Sequence, residues 1–327
     1  MKKCIICDSK DLQVYLDLGN IELPIPHNRL NTLEQFELKL NYCENCNHIQ
    51  ISNYVDYSFQ NYMYNEKKAF YEYMLNKIEK DLNITNRSSY SVFSDSEMFN
   101  KIIKFETYRT APLYNIIILE NLHNEKNPKQ YLLNLKKSLS LDSRIYLIEN
   151  INSISFDDIT HNRASFFNIN SLKILFNNVG LNILDIQQHR NSHIFILTKS
   201  STSFILKNIN SVKISPLNIE EKISELKHVL AQQKSTIGFS NTFKMSNFTK
   251  VSNIKLKFIA SDLYNNQFTA GQNIQITNIE KVRDLKDTSV LVIDWEHYNE
   301  IRNRLIKINS SLRFITIFPI LFIQDKF

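Results

Sequence analysis

Two C-x-x-C pairs constrain the fold of this chain more than any other feature. They are Cys4-x-x-Cys7 and Cys43-x-x-Cys46, and they use all four cysteines of the 327 residues. Each pair places two thiolates on one tight turn, so a tetrahedral Zn²⁺ would take two ligands from each turn. The 35 residues between the pairs exceed the roughly 15 to 20 of short zinc ribbons. The spacing therefore predicts a zinc ion that staples together a small N-terminal domain.

The four-cysteine set indicates a structural and not a catalytic metal. A closed shell of four thiolates leaves no open coordination position for a substrate or a water molecule. Redox-active cysteines and buried thiols without metal remain the alternatives.

Charge and hydropathy exclude several functional classes. The net charge of +6 is spread along the chain without a run of lysine or arginine, so we expect no nucleic-acid partner. No segment approaches the roughly 18 apolar residues that a bilayer span needs, so we expect no membrane span. The opening Met1-Lys2-Lys3-Cys4 lacks the apolar core of a secretory leader, which predicts a cytoplasmic location.

Glycine is scarce in this chain. Only Gly19, Gly180, Gly238 and Gly271 occur, against about 7% in average proteins. A turn that brings bare backbone close to a nucleotide or phosphate depends on glycine. The sequence therefore offers almost nothing from which to build a glycine-rich nucleotide-binding turn.

The hydrophobic pattern predicts an α/β fold. An amphipathic helix is expected at 59–82, followed by alternating buried strands and helices. We predict a small zinc-binding N-terminal domain at 1–58, a truncated Rossmann-like domain at 59–200 and a C-terminal α/β Rossmann-like domain at 201–327. The predicted strands lie at 116–119, 144–149, 194–198, 236–239, 255–261, 289–293 and 313–317, and the later helices at 128–139, 171–178, 219–233 and 298–308.

An ordered set of motifs resembles the bacterial nucleotide-sugar C-methyltransferases over nearly the whole chain. The N-terminal part of this set comprises Cys4-x-x-Cys7, Leu18-Gly19, Leu23-Pro24, Leu38-x-Leu40-x-x-Cys43-x-x-Cys46-x-x-Ile49-Gln50 and Phe59-x-x-Tyr62-x-Tyr64. The later matches are Ile116 to His123, Phe156-Asp157-x-Ile159-x-His161, Ser165-x-Phe167, Ile237-Gly238-Phe239 with Lys244, Gly271-x-x-Ile274-x-Ile276, Trp295-x-x-x-x-Glu300-Ile301 and Pro319. The resemblance implies a zinc domain, a central S-adenosylmethionine-binding domain and a C-terminal α/β domain. It also implies methylation of a ring carbon of a nucleotide-linked keto-deoxysugar, in polysaccharide or deoxysugar biosynthesis.

The catalytic segment of that family matches this chain only in part. The family's tyrosine, first histidine, glutamate and second histidine fall on Thr160, His161, Asn162 and Arg163. His161 alone is kept, as a candidate catalytic base or a structural hydrogen-bonding residue. Asparagine cannot act as a carboxylate base, and arginine stays protonated. General-base catalysis by the family route is therefore not expected.

Three further side chains fall on substrate-binding positions of the family. Tyr62 and Tyr64 would line a sugar pocket, with helix core as the alternative. Lys244 would meet a phosphate, with a solvated lysine as the alternative.

The sequence indicates that the binding site for the methyl donor, S-adenosylmethionine, is degraded. The first strand and turn of the central domain, 90–97, lack glycine, and about 20 residues separate that turn from Ile116, where the family has two more strand-helix units. S-adenosylmethionine, the family cofactor, is therefore not expected to bind. Two functions stay open: a divergent methyltransferase, or a non-catalytic member acting as scaffold, partner subunit or nucleotide-sugar binder. A decaying gene product is a third possibility.

Overall fold

A computed structural model describes residues 3–22, 35–55, 64–82, 92–96, 99, 114–151, 159–189, 192–199, 219–240, 244–262, 267–268, 274–293, 298–316 and 322–324. The chain divides into two units. Unit 1 comprises Met1–Tyr15, Leu40–Ser153 and Asn162–Ile214, and unit 2 comprises Leu16–Lys39, Ile154–His161 and Ser215–Phe327. Helices and strands occur in both units, which confirms the predicted α/β class. The three predicted domain boundaries stay predictions.

The described residues up to Lys199 contribute nine strands and three α-helices. The strands are β1 (Leu12–Glu22), β2 (Gln35–Cys43), β3 (Ile49–Ile51), β4 (Val92–Ser94), β5 (Tyr114–Leu119), β6 (Leu139–Glu149), β7 (Ser165–Phe166), β8 (Asn182–His189) and β9 (Ser192–Thr198). The helices are α1 (Tyr64–Asp81), α2 (Pro128–Lys137) and α3 (Ile169–Val179). A four-stranded sheet has the order β1-β2-β3-β7, and a five-stranded sheet has the order β4-β5-β6-β9-β8.

The five-stranded sheet forms the centre of unit 1 because its strands alternate between two apolar faces. Strands β4, β5 and β6 are parallel, whereas β9 is antiparallel to both β6 and β8. One face packs with α2 and α3 and contributes Ile117, Leu119, Ile145, Leu147, Phe195 and Leu197. The other face packs with α1 and contributes Ile116, Ile118, Tyr146, Ile148, Ile194 and Ile196. Such strict alternation buries both sides of the sheet.

Helix α3 has clear start and stop signals. The side chain of Asn168 accepts the backbone N–H of Ser171, and the hydroxyl of Ser171 is paired with the backbone N–H of Asn168. The helix ends at Gly180, whose φ of 66° lies in the left-handed region that glycine adopts without strain. The next residue, Leu181, turns the chain back towards β8.

Unit 2 is built around a seven-stranded sheet. Its strands are β10 (Ser235–Phe239), β11 (Ile259–Ser261), β12 (Gln267–Phe268), β13 (Gln275–Asn278), β14 (Thr288–Val292), β15 (Arg313–Thr316) and β16 (Phe322–Gln324). Its helices are α4 (Ile219–Ala231), α5 (Lys244–Ser252) and α6 (Tyr298–Ile308). The order is β12-β13-β11-β10-β14-β15-β16, with antiparallel strands only at the two edges.

The five parallel strands of unit 2 follow the order of doubly wound sheets. Numbered along the chain, they are arranged 3-2-1-4-5, with β10 and β14 side by side at the point where the order reverses. Helix α6 covers this sheet with Ile301 and Leu305, which lie one turn apart and pack against buried residues of β10 and β14.

No helix of the described part is both long and apolar enough to cross a bilayer.

Candidate functional site

The four cysteines meet in unit 1. The Sγ atoms of Cys4 and Cys46 are 3.6 Å apart, those of Cys7 and Cys43 are 3.5 Å apart, and all four lie within 4.8 Å of one another. A tetrahedral zinc with Zn–S bonds of about 2.3 Å requires S–S separations of about 3.8 Å. The donor atoms and their spacing therefore fit Zn²⁺.

The two cysteine turns have the same backbone geometry. The residue after each second cysteine, Asp8 or Asn47, is left-handed, with φ of 61° and 59°. Its N–H donates to the carbonyl oxygen of the first cysteine of its pair, at 3.0 Å for Cys4 and 2.8 Å for Cys43. Aspartate and asparagine are the non-glycine residues that tolerate this conformation best. Both turns are therefore shaped by the chain itself to present two sulfur atoms each.

Three of the cysteine thiols differ in how tightly they hold their protons. The hydrogen bond with the Cys46 thiol lowers the pKa of Cys4, with help from backbone N–H groups of Cys7 and Ile6, and raises the pKa of Cys46. Burial raises the pKa of Cys43 to about 11. The Cys4 thiol thus loses its proton readily, whereas Cys43 and Cys46 hold theirs. Zinc would have to displace those two protons when it binds.

Amide side chains tie the cysteine turns to the rest of unit 1. Gln50 accepts the N–H of Ile5 at 2.9 Å and donates to the carbonyl oxygen of Lys3 at 3.1 Å, which joins the first cysteine turn to β3. Three asparagines at the start and end of α3 donate to carbonyl oxygens of the turns. These bonds run from Asn168 to Asn47, from Asn170 to Cys46 (3.3 Å) and from Asn178 to Ile6 (3.0 Å).

The cysteine cluster shares its core with the five-stranded sheet. Cys4, Cys43 and Cys46 are at most 1% exposed, and they belong to the same apolar cluster as Leu119 of β5 and Leu175 of α3. A metal here would therefore stabilise the sheet module as well as the N-terminal turns.

The carboxyl ends of β4 and β5 are joined by one aspartate. Asp95 follows β4 directly, and its two carboxylate oxygens accept the backbone N–H groups of Glu120 (2.8 Å) and Asn121 (3.0 Å) after β5. Burial raises the pKa of Asp95 to about 6, against the lowering effect of those two N–H groups. The side chain of Asp95 thus acts as a clamp between two parallel strands.

Two further carboxylates at the same edge are engaged by neighbouring side chains. The hydroxyl of Tyr71, on α1, donates to Glu120 at 2.7 Å and lies 3.0 Å from the hydroxyl of Ser96. Glu149, at the end of β6, is 2% exposed. It accepts the backbone N–H of His123 at 3.1 Å and lies 3.2 Å from its Nδ1. In doubly wound sheets this is the edge where ligands bind.

His161, the candidate base, is fully buried. Its Nε2 donates to the carbonyl oxygen of Phe36 at 3.1 Å, and the two rings make an edge-to-face contact. Burial lowers the pKa of His161, against the raising effect of the hydrogen bond to Phe36. This geometry is that of a structural hydrogen bond.

The three other positions of this segment differ in exposure. Arg163 is 8% exposed, its guanidinium lies 4.9 Å from the centre of the Phe166 ring, and its Nε donates to the carbonyl oxygen of Ser165. Thr160 and Asn162 are partly buried.

The predicted substrate-binding residues are largely outside the described part. Tyr62 lies outside the described residues altogether. Tyr64 and Lys244 are the first residues of α1 and α5, and their side chains are not among the described ones. Their assignment to a sugar or phosphate pocket stays a prediction.

The sequence reasoning assigned no role to the carboxylate residues or to the left-handed residues after the cysteines. A signal for both existed. Asp95, Glu120 and Glu149 each stand at or directly after the end of a buried strand, and Asp8 and Asn47 each directly follow a C-x-x-C pair.

Comparison with known proteins finds only distant likenesses. No protein-family model matches the chain, and no curated protein matches it. The solved structures similar to it include the mitomycin 7-O-methyltransferase MmcR, at 14% identity over 27% of this chain and 30% of that one, with a TM-score of 0.25. They also include CalO1, a methyltransferase in calicheamicin biosynthesis (14%, 33% and 41%, 0.26), and LepI in complex with SAM (8%, 39% and 40%, 0.29).

These matches cover less than half of each solved structure, and at such scores they support no conclusion about activity. The protein has a mixed α/β fold and carries a four-cysteine cluster inside its first unit.

Proposed function

We propose that this chain is a non-catalytic relative of the nucleotide-sugar C-methyltransferases and acts as a scaffold or partner subunit. A structural zinc would hold its N-terminal part together. The observation that carries the proposal is the position of β4 in the five-stranded sheet. Within the described residues β4 pairs only with β5 and forms the edge of the sheet.

The position of β4 matters because of where a nucleoside would bind. In sheets of order 3-2-1-4-5, strands 2 and 3 lie on the side of strand 1 that faces away from strand 4, and the end of strand 2 supplies the acidic residue for the ribose. By its sequence motifs β4 corresponds to strand 1 of the family. Strand β5 corresponds to the family strand that follows strands 2 and 3 along the chain. The 19 residues between β4 and β5 suffice for one crossover, which needs about a dozen or more. Two further strand-helix units need about twice that length or more.

The side chains at the strand ends also support a structural role. Asp95, Glu120 and Glu149 are all engaged with backbone N–H groups or side chains of the protein. A methyl donor that binds here would have to displace the hydrogen bonds that hold β4, β5 and α1 together. His161, as the remaining catalytic candidate, is buried and bonded to a backbone carbonyl.

The zinc part of the proposal is tested by metal analysis. Protein purified without chelator is expected to contain one zinc per chain, because Cys4, Cys7, Cys43 and Cys46 fill a tetrahedral shell. Cys43→Ser should lose most of the metal and reduce amide protection in the cysteine turns. Ser52→Ala, on the same segment but outside the cluster, is the control and should keep one equivalent. Less than half an equivalent in the wild type would contradict the assignment.

The non-catalytic part is tested by calorimetric titration of the zinc-loaded protein with S-adenosylmethionine. No binding is expected up to millimolar concentration, because no strand among the described residues lies beyond β4 to hold the ribose. Micromolar binding would overturn the proposal and favour the second candidate, a divergent methyltransferase acting on a nucleotide-linked keto sugar. Binding of a nucleotide sugar without binding of the donor would instead favour a nucleotide-sugar-binding subunit.

A further inference from the structure

Unit 2 contains a cavity of about 560 Å³ at the amino ends of its parallel strands. Its walls are the end of α4, the turn that leads into β10 and the segment between α5 and β11. Four lysines line it: Lys227, Lys234, Lys255 and Lys257. In doubly wound sheets nucleotides bind at the opposite, carboxyl ends of the strands. The cavity is therefore separate from the edge where this fold class usually binds its ligands.

The segment between α5 and β11 presents two of the lysines side by side. Its residues alternate strictly, with Ile254, Leu256 and Phe258 buried and Lys255 and Lys257 exposed. Such alternation places the two lysines on the same side of an extended segment. The backbone N–H of Lys257 donates to the carbonyl oxygen of Thr236 at 2.9 Å, which fixes this segment against the start of β10.

The described residues that line the cavity do not balance its charge. None of the described residues that line it is acidic. Lys234 pairs with Asp287 at 3.1 Å, but both side chains are more than half exposed, so solvent screens the pair. Lys227, Lys255 and Lys257 make no ion pair within the described part of the chain.

Helix dipoles do not remove this excess. The carboxyl ends of α4 and α5 face the cavity region, and each carries the equivalent of about half a negative charge. After both ends and Asp287 are counted, about two positive charges remain. Like charges gathered on one rim disfavour the folded state, and a bound anion relieves that repulsion.

The size and lining of the cavity indicate the kind of anion. Sites for drug-sized ligands have volumes of about 300 to 1,000 Å³ and are partly apolar. Here Leu230 and Ala231 contribute apolar surface beside the lysines, and Ser235 and Thr236 contribute polar groups. A single inorganic ion would leave most of this space unused.

We propose that this cavity binds a phosphorylated organic molecule of about nucleotide size. Its phosphate groups would lie among the four ammonium groups, and its organic body would lie against Leu230 and Ala231. This inference goes beyond the proposed function and does not depend on the zinc site or on the methyl donor.

ATP, inorganic pyrophosphate and a single-stranded oligonucleotide are suitable probes, titrated by calorimetry into the full zinc-loaded chain at low salt. ATP is expected to bind more tightly than pyrophosphate, and its affinity should fall as salt is added. The amides of Ser235 and Thr236 should shift in ¹⁵N-resolved spectra when ATP is added.

Substitutions then locate the site. Lys255→Gln with Lys257→Gln should weaken ATP binding at least tenfold, and Lys227→Gln alone should weaken it less. Lys307→Gln, an exposed lysine of α6 outside the cavity, is the matched control and should bind as the wild type does. Unchanged zinc content and far-ultraviolet circular dichroism would show that each variant is folded.

Four results would overturn the proposal. They are no ATP binding by the wild type, equal loss in the control variant, equal affinity for pyrophosphate and ATP, and a preference for the oligonucleotide over ATP. The last result would assign the lysines to a nucleic-acid surface.

Discussion

Replacing Asp95 by asparagine should change how the stability of unit 1 depends on pH. The pKa of Asp95 is raised from the ordinary 3.8 to about 6, first by burial and further by the charges of Glu120 and Glu149. A carboxyl group with a raised pKa binds its proton more tightly in the folded than in the unfolded state. Its stabilising contribution is therefore present in full below pH 3.8 and is lost as pH rises through about 6.

The magnitude follows from the two pKa values. The full difference between the two pKa values corresponds to about 3 kcal/mol in the free energy of unfolding. About 1.4 kcal/mol of it falls between pH 5 and pH 7.5, where the cysteine cluster is less exposed to acid. The wild type should therefore lose about 1.4 kcal/mol more of its free energy of unfolding over this range than Asp95→Asn loses. Asp185→Asn, on the exposed side of β8, is the matched control and should keep the wild-type profile.

Urea unfolding at several pH values, with zinc content checked at each, measures this difference. A second readout is local: the ¹⁵N-amide signals of Glu120 and Asn121, which donate to Asp95, should titrate with a midpoint near 6. Parallel stability profiles for the wild type and Asp95→Asn, or an amide midpoint below pH 4.5, would refute the buried clamp.

Two other substitutions test packing at the ends of secondary-structure elements. Gly180→Ala should lower the free energy of unfolding by about 1 to 2 kcal/mol, because φ is +66° and a Cβ would lie 2.6 Å from Nζ of Lys136. An unchanged urea midpoint would show that Lys136 and the backbone relax freely. Tyr71→Phe should cost about 1 to 3 kcal/mol, since it leaves Glu120 and Ser96 without the hydroxyl between them. A variant as stable as the wild type would mean that water replaces that hydroxyl.

The sequence predicted the elements whose periodicity is set by burial on one face. The helix predicted at 298–308 is α6 with the same limits, and the strand predicted at 144–149 is the second half of β6. The predicted strand at 255–261 was wrong for its first four residues. They alternate between buried and exposed like a strand, but the ladder with β10 begins only near Ile259. A periodic pattern indicates which side of a segment is buried. It does not indicate whether the segment is hydrogen-bonded to a neighbouring strand.

Elements without a clean apolar stripe in their sequence escaped the sequence reasoning. Helix α5 buries Thr249 and Ser252, and β8 has a polar edge at Asp185 and Gln187, so neither shows a clean apolar stripe.

The cysteine cluster could be predicted because ligand type and spacing are local properties of the chain. The clamp at Asp95 could not, because its partners are backbone N–H groups 25 and 26 residues away. Any residue type except proline at 120 and 121 would supply the same donors, so nothing in the side-chain pattern marks them. The buried state of His161 likewise depends on Phe36, 125 residues earlier.

The bonds from α3 to the cysteine turns determine when those turns can mature. The contact between Asn178 and Ile6 spans 172 residues, and that between Asn170 and Cys46 spans 124. Contacts of such sequence separation form late, because a long loop must close first. On a ribosome adding roughly 5 to 20 residues per second, Cys46 would wait on the order of 10 s before Asn178 is made. During that interval the nascent chain would hold its N-terminal cysteines without the amide donors that α3 supplies to the carbonyl oxygens of their turns. Metal capture at these turns would therefore become durable only once α3 has been synthesised.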